Sequence, residues 1–143
     1  RALKNDKRKE WQESRWTWWM KLMTPVAQEN VRKLHEAGAI VVLGTDQTLG
    51  PAVHREMELL AAAGIPAAAI VRIATLNGAI FLGREADLGS IETGKLADAV
   101  LLSKDPTQDV ESIKAIAAVI KDGRIVDEST LQLAGGKSPR RLQ

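Results

Sequence analysis

The residues Gly44-Thr45-Asp46 directly follow the apolar run IVVL at residues 40–43, and this pairing indicates chemistry better than any other pattern in the chain. A short β-branched run that ends in Gly-Thr-Asp is typical of a buried strand with one carboxylate at its C-terminal tip. In barrels of parallel strands, catalytic residues collect at that tip because the loops there build the pocket. An aspartate so placed can bind a metal ion and can transfer protons. Taken alone, this motif favours a simpler role for Asp46 as a helix cap or turn residue, and it is the segments that follow which favour the chemical role.

Two polar side chains near Asp46 are candidates for supporting roles. Thr45 is predicted to form a hydrogen bond at the strand end and to orient Asp46. His54 follows the loop after the strand and is predicted to touch substrate at the mouth of a pocket, the alternative being a surface histidine in the first turn of a helix. His35 precedes the strand in a helix, and we expect it to pack or face solvent rather than to bind metal.

Four charged residues allow both a functional and a structural interpretation. Glu56 and Glu58 flank Met57 on the helix after the loop, where a second carboxylate could serve acid–base chemistry, although two such residues on an amphipathic helix usually face solvent. Arg55 and Arg72 could pair with a substrate carboxylate, or they could form salt bridges with neighbouring acids.

Two further polar residues are predicted to be structural. Asn77 lies among apolar neighbours in its helix, so we expect its amide to bond the backbone of an adjoining segment. Asp98, in the run Lys-Leu-Ala-Asp, is expected to tie down the entry to a strand.

Helices are predicted to carry the first half of the chain. Residues 1–23 are compatible with a helix, and a second helix is predicted to start at Pro25 with Thr24 as its N-cap and to stop at Gly38. The strand at residues 39–44 follows at once. Further helices are predicted at residues 52–63 and from Pro66 to Gly83.

The second half changes from helical to extended patterning. Residues 97–103 and 115–121 are apolar runs of strand length. Asp122-Gly123 is the strongest hairpin signal in the sequence, because both turn positions tolerate positive φ, and it leads into a short strand at residues 124–126. Residues 128–143, with two consecutive glycines and a proline, are predicted to be a loose tail.

Length and composition exclude several classes of protein. The chain has 143 residues, enough for one ordinary core but fewer than the roughly 250 of a complete eight-fold barrel. The sequence contains no Cys, so disulfides and thiolate metal sites are excluded. No apolar run reaches membrane-spanning length. Basic residues concentrate at the two ends and leave the central body acidic, which is the opposite of a nucleic-acid-binding core.

Six segments occur in fixed order between about residues 31 and 127, namely NVRKLHEAG, IVVLGTD, HREMELLAAAGIP, IVRIATLNGAIFLG, LGSIETGKLADAVLLSKDP and AVIKDGRIV. Together they resemble the C-terminal part of the metal-dependent amidohydrolase superfamily, in particular its imidazolonepropionase-like and prolidase-like members. Each is weak alone, whereas the ordered set covers about two-thirds of the chain.

The resemblance implies an α/β architecture, the C-terminal part of a (β/α)8 TIM-type barrel followed by strands of a small β-sandwich domain. Residues 1–87 would supply the C-terminal helices and last strand of the barrel, with Asp46 at the end of strand eight. Residues 88–127 would form part of the composite sandwich, and residues 128–143 the tail. The N-terminal strands that complete such a sandwich have no counterpart in this sequence.

The resemblance also implies a mechanism. Asp46 would be both a metal ligand and the general base that orients or deprotonates a metal-bound water, whose pKa the ion lowers to about 7. The hydroxide would attack an amide, lactam or similar carbonyl, and the same carboxylate could return the proton to the leaving nitrogen. The expected cofactor is a divalent metal, with zinc first and iron or manganese as alternatives.

The family's other metal ligands have no counterpart here, since the chain holds only two histidines, His35 and His54. We therefore expect this chain to need a missing N-terminal part, or to oligomerise. The chain opens on Arg1 rather than Met, which agrees with such a missing portion. The expected setting is cytoplasmic, with a small amide or dipeptide-like substrate, no nucleic acid and no membrane.

Two alternatives remain open from the sequence. The chain could be a non-catalytic interaction or structural piece, because unpaired barrel and sandwich edges invite pairing with another chain. Alternatively, the basic, Trp-bearing residues 1–23 could bind an anionic membrane or single-stranded nucleic acid. Packing or pocket lining is the competing role for those tryptophans.

Overall fold

The computed structural model describes residues 2–46 and 50–126, with side chains described for residues 14–46 and 51–126. Four helices come first, and a small sheet with one 3-10 helix follows. The elements are α1 (Ala2–Glu36), α2 (Gly50–Ala62), α3 (Ala67–Ala74), α4 (Leu76–Phe81), β1 (Ala99–Leu102), the 3-10 helix Val110–Lys114, β2 (Ile116–Lys121) and β3 (Arg124–Ile125). The predicted tail at residues 128–143 lies outside the described residues.

The first helix runs through the point where a new helix was predicted to begin. Pro25 lies inside the 35-residue α1 rather than at a helix start, so the predicted N-cap at Thr24 is wrong. The Thr24 hydroxyl instead donates to the Met20 carbonyl at 2.6 Å, one turn back in the same helix. The predicted stop at Gly38 is confirmed, since Gly38 has a φ of 81°. None of the helices in the described part of the chain combines the length and apolarity needed to span a membrane.

The core lies where α2 and α3 meet the 3-10 helix. Its buried side chains are apolar and come from both halves of the chain, namely Met57, Ile65, Ile70, Ile73 and Val110. Half-buried apolar side chains from α1 and from the segment after it pack against this cluster, among them Val31, Val41 and Leu43. Burial of a side chain of this size stabilises a fold by about 1.5–3 kcal/mol.

The predicted strand at residues 39–44 is not helical and forms no ladder within the described part of the chain, and we refer to residues 39–46 as the extended segment. A strand needs a neighbouring strand to bond its backbone, and the one described sheet lies elsewhere in sequence, at residues 99–125. The alternation expected of a strand is nevertheless present. Val41 and Leu43 are half-buried against the core, whereas Ile40 and Val42 are exposed.

The single helix predicted from Pro66 to Gly83 is divided at Thr75. This residue has φ −126° and ψ −87°, outside the helical region, so it ends α3 and precedes α4. Its hydroxyl donates to the Val71 carbonyl at 2.7 Å. Threonine can bond the backbone of the preceding turn in this way and thereby compete with the continuing helix.

The sheet is antiparallel in the order β1-β2-β3. β1 pairs β2 with Ala99 opposite Ile120, and β2 pairs β3 with Ile120 opposite Ile125. The predicted hairpin at Asp122-Gly123 is confirmed, with φ of 51° and 73° at the two turn residues. The first strand is shorter than the apolar run at residues 97–103 suggested.

Candidate functional site

The candidate site is the end of the extended segment at residues 39–46. Two side chains, Val41 and Leu43, hold this segment against the core. A third contact comes from α4, where the Asn77 side-chain amide donates to the Val41 carbonyl at 2.8 Å. The bond predicted for Asn77 is therefore confirmed, and its partner is the segment that leads to Asp46.

Thr45 and Asp46 both lie exposed at the end of this segment. The carboxylate-bearing end of the segment is therefore in contact with solvent. Residues 47–49, which join Asp46 to α2, lie outside the described residues.

The two histidines lie on different helices. His54 is half-buried in the early part of α2, and His35 is half-buried in the last turn of α1. The structure therefore puts Thr45 and Asp46 side by side on one segment and His54 on the helix that follows.

A metal ion needs more donors than this site provides within the described residues. Among residues 14–46 and 51–126, no group of three or more His, Cys, Asp or Glu side chains could hold a metal ion. Tight zinc sites use three or four protein ligands. The described donors therefore do not fit a complete zinc site, and Asp46 is at most one member of a ligand set.

The carboxylate of Glu58 on α2 is paired rather than catalytically poised. It accepts hydrogen bonds from Lys114 Nζ at 2.5 Å and Arg55 Nη1 at 2.9 Å. These two bonds, Lys114 first, lower the pKa of Glu58 from 4.5 to about 2. The salt bridge expected for Arg55 is confirmed, and the side chain of Glu58 is only 24% exposed. A carboxylate held this strongly ionised is a poor proton donor near neutral pH.

Lys114 itself was not singled out by the sequence, although it links the two halves of the chain. Its ammonium also donates to Glu111 at 2.6 Å, and the bonds to Glu111 and Glu58 raise the pKa of Lys114. Glu111 lies three residues before Lys114, a spacing that could have signalled that pair, whereas Glu58 is 56 residues away.

Arg72 is exposed on α3, and Glu56 is half-buried on α2.

Asp98 has the structural role predicted for it. Its carboxylate accepts the backbone N–H of Asp122 at 2.8 Å and a bond from Lys121 Nζ at 2.6 Å. These bonds, that of Asp122 first, lower the pKa of Asp98. The entry to β1 is thereby tied to the β2–β3 turn.

A second polar cluster, in the run GSIETGK, was not predicted from the sequence. The Lys95 ammonium donates to Ser90 Oγ at 2.5 Å, and the Ser90 hydroxyl donates to the Glu92 carboxylate at 2.6 Å. The Lys95 side chain is only 12% exposed. The bond from Ser90, followed by the charge of Lys95, lowers the pKa of Glu92. These contacts close the turn within a few residues of sequence.

The chain matches one known family over most of the described region. Residues 22–126 match the amidohydrolase family. A curated imidazolonepropionase from Symbiobacterium thermophilum is 36% identical over 110 residues, which cover 71% of this chain and 26% of that protein. A 5-methylthioadenosine/S-adenosylhomocysteine deaminase from Moorella thermoacetica is 34% identical over 131 residues, covering 75% and 30% respectively.

Solved structures give the same likeness in three dimensions. A Xaa-Pro dipeptidase with methionine bound in its active site superposes with a TM-score of 0.64 at 32% identity, over 70% of this chain and 25% of that one. An amidohydrolase from Thermotoga maritima superposes with a TM-score of 0.59 at 31% identity, over 70% and 26%. These neighbours imply a TIM-barrel-type fold, and the helices and small antiparallel sheet described above are consistent with a part of it.

The extent of the matches limits what this chain supplies by itself. It spans about a quarter of the length of the curated imidazolonepropionases, 26% in two of them. The matched region includes the extended segment and Asp46.

Proposed function

The chain belongs to the amidohydrolase family, and from this membership we propose that it is the C-terminal portion of a metal-dependent hydrolase that acts on carbon–nitrogen bonds. The observation that carries the proposal is the position of Asp46. This residue ends an extended apolar segment that packs on the core through Val41 and Leu43, inside the region that matches the family. Residues 1–87 are proposed to close the barrel and residues 88–127 to join a composite β-sandwich.

The proposed role of Asp46 is proton transfer. Its carboxylate accepts a proton from the attacking water and returns that proton to the leaving nitrogen, so one group serves both steps. Asp46 is also proposed as one ligand of a divalent metal, zinc first and iron or manganese as alternatives. When bound, such a metal supplies Lewis-acid polarisation of the substrate carbonyl and lowers the pKa of water. Thr45 is proposed to orient Asp46, and His54 to contact the substrate.

The remaining ligands are proposed to come from polypeptide beyond the described residues, or from a partner chain. Large apolar side chains are exposed, including Trp16, Phe81 at 76% and Ile91 at 96%. Large apolar side chains left exposed are commonly covered by another chain when they form a contiguous patch. We propose an amide, lactam or dipeptide-like compound as the substrate, a class that agrees with the dipeptidase named among the solved structures.

A second candidate function is that of a non-catalytic interaction or structural piece. The same exposed apolar side chains favour it, because they would be covered by another chain whether or not chemistry occurs. Size-exclusion chromatography with light scattering tests this candidate. A well-behaved monomer with no tendency to associate would count against it.

A chimera tests the hydrolase proposal. The matching segment of the Symbiobacterium thermophilum imidazolonepropionase is replaced by this chain's segment, and the purified protein is loaded with zinc, iron or manganese. We expect hydrolysis of a carbon–nitrogen substrate, and we expect Asp46→Asn to lower kcat by about 10³-fold, since general acid–base catalysis contributes about 10²–10⁴-fold.

The matched control is Asp105→Asn. Asp105 is an exposed aspartate whose carboxylate accepts hydrogen bonds from the backbone N–H and the hydroxyl of nearby Thr107, so its loss should leave kcat within about twofold of the parent. Retained activity in the Asp46→Asn chimera would contradict the proposal. A folded, metal-loaded chimera that hydrolyses no carbon–nitrogen substrate would count equally against it.

A further inference from the structure

The register of the extended segment at residues 39–46 against the core must be fixed for Asp46 to occupy one position. The segment forms no ladder within the described part of the chain. The apolar contacts of Val41 and Leu43 fix how deeply the segment lies, but such contacts are non-directional. A shift of one residue would move the segment by about 3.3 Å and would turn the exposed face inward.

At the start of the segment, Ala39 N–H donates to the Leu34 carbonyl of α1 at 3.0 Å, and a further directional contact comes from a distant element. The Asn77 side-chain amide donates to the Val41 carbonyl at 2.8 Å, across 36 residues of sequence. Both residues are half-buried, so the hydrogen bond is partly shielded from competing water. Val41 lies five residues before Asp46.

The backbone around Asn77 lies between a helix break at Thr75 and a close contact with Gly89. Thr75 breaks the helix with φ −126° and ψ −87°, so Asn77 falls in the first turn of the short helix α4. Gly89, with φ 88°, packs so closely that a Cβ there would lie 2.8 Å from Leu76 Cα. The amide of Asn77 is thus presented by backbone that has little room to shift.

We propose that Asn77 is a positioning residue for Asp46, which it holds in place by fixing the register of the segment through the Val41 carbonyl. The inference rests on the proposed function only for the role of Asp46, because the ordering of the segment can be measured without any activity. Asn77 touches no reacting atom. It acts through the backbone that carries the carboxylate.

A spin label placed in the segment tests the positioning directly. The sequence contains no Cys, so Gly44→Cys introduces one thiol, at a position where a Cβ would meet no heavy atom within 4 Å. With the label on the 143-residue chain, the parent should show an ordered electron paramagnetic resonance line shape. Asn77→Ala should shift the spectrum toward the mobile component, because the hydrogen bond to the Val41 carbonyl is lost.

Asn77→Asp supplies a readout that general loosening would not give. An ionised carboxylate cannot donate to the Val41 carbonyl, whereas a protonated one can. The label should therefore be mobile at neutral pH and should become ordered again on acidification to about pH 5, since partial burial beside a carbonyl oxygen raises the pKa of a carboxyl. Circular dichroism at each pH checks that the fold is retained.

The matched control is Gln28→Ala. Gln28 Nε2 donates to the Leu59 carbonyl at 3.3 Å, another half-buried bond from a side-chain amide to a distant carbonyl, and its loss should leave the label ordered. Equal mobility in Gln28→Ala and Asn77→Ala would overturn the proposal, as would an unchanged spectrum in Asn77→Ala. If Asn77→Ala does not fold, the absence of any pH response in folded Asn77→Asp overturns it.

The chimera provides the catalytic arm. There Asn77→Ala should lower kcat by about tenfold to a hundredfold, the cost of a small misplacement of a reacting group, with KM within about twofold of the parent. A loss confined to KM would contradict a positioning role. The two tests can be told apart. If the parent chimera is inactive but the label is ordered and becomes mobile in Asn77→Ala, the proposed function is contradicted and the positioning role of Asn77 is supported.

Discussion

At the scale of single residues, the surroundings of Glu58 change its ionisation strongly. Its bonds to Lys114 and Arg55 lower its pKa from 4.5 to about 2. A lowered carboxylate pKa adds stability that is fully present above the ordinary value and is lost as the pH falls through the lowered one. We therefore expect the stabilisation from Glu58 to disappear between pH 4.5 and about pH 2.

Urea unfolding from neutral pH down to about pH 2 measures this contribution. Glu58→Gln should be less stable than the parent above pH 4.5, and the two stability curves should converge toward the acid end. Glu85→Gln, at an exposed position, is the matched control for loss of one negative charge. A constant gap between parent and Glu58→Gln across the whole range would contradict the assignment.

Sequence reasoning predicted residue roles well where the partner is local or the pattern is strong. Asn77 was expected to bond an adjoining backbone because an amide among apolar neighbours needs a partner, and its bond to Val41 confirms this. The contact of Lys114 with Glu58 could not be foreseen. It depends on how the 3-10 helix packs on α2, and no local spacing encodes a pair 56 residues apart.

At the scale of elements, the close packing of residue 89 against α4 gives a sharp prediction. A Cβ at Gly89 would lie 2.7 Å from Ala79 Cβ and 2.8 Å from Leu76 Cα, and Gly89 has a φ of 88°. Part of that clash is with backbone, which cannot rotate away. We expect Gly89→Ala to lower the free energy of unfolding through both overpacking and backbone strain.

Gly94→Ala separates these two causes. Gly94 has a similar φ of 95°, but a Cβ there would meet no heavy atom within 4 Å. Its alanine variant should therefore lose only the conformational part, and Gly89→Ala should be less stable than Gly94→Ala by about 1–3 kcal/mol, the usual cost of overpacking. Equal thermal unfolding of the two variants would show that the close approach is absent.

Elements with their own local signal were predicted best. The Asp122-Gly123 turn was recognised because both residues adopt positive φ. The predicted helix start at Pro25 was wrong because proline is compatible with a first turn but does not require one. The strand at residues 39–44 was predicted from composition, but a ladder also needs a second strand, which that composition does not reveal.

At the scale of the whole molecule, the question is whether this chain binds metal by itself. Asp46 is the residue proposed above as a metal ligand, and no group of three or more His, Cys, Asp or Glu side chains that could hold a metal ion occurs among residues 14–46 and 51–126. We expect the purified 143-residue chain to lack tightly bound zinc, because a tight site needs three or four protein ligands.

Elemental analysis after gel filtration, followed by zinc titration with a chromophoric chelator, measures this. The active chimera described above is the matched control, since it should retain metal through the same procedure. Stoichiometric zinc on the chain by itself would show that its own side chains complete a site.

The ordered set of six segments predicted the family, and the match over residues 22–126 confirms it. The same sequence could not predict the full ligand set or the substrate, because the chain spans only 26% of related imidazolonepropionases. The residues that recognise a substrate lie largely on the loops of the whole barrel.

The burial of Val110 among Met57, Ile70 and Ile73 has a consequence for how the two halves depend on each other. Val110 lies in the connection between β1 and β2 and packs in the helical core. This connection therefore attaches the sheet to the helices. Thermal unfolding of either the helices or the sheet must disrupt the packing of Val110. The helices and the sheet should consequently unfold in a single cooperative step.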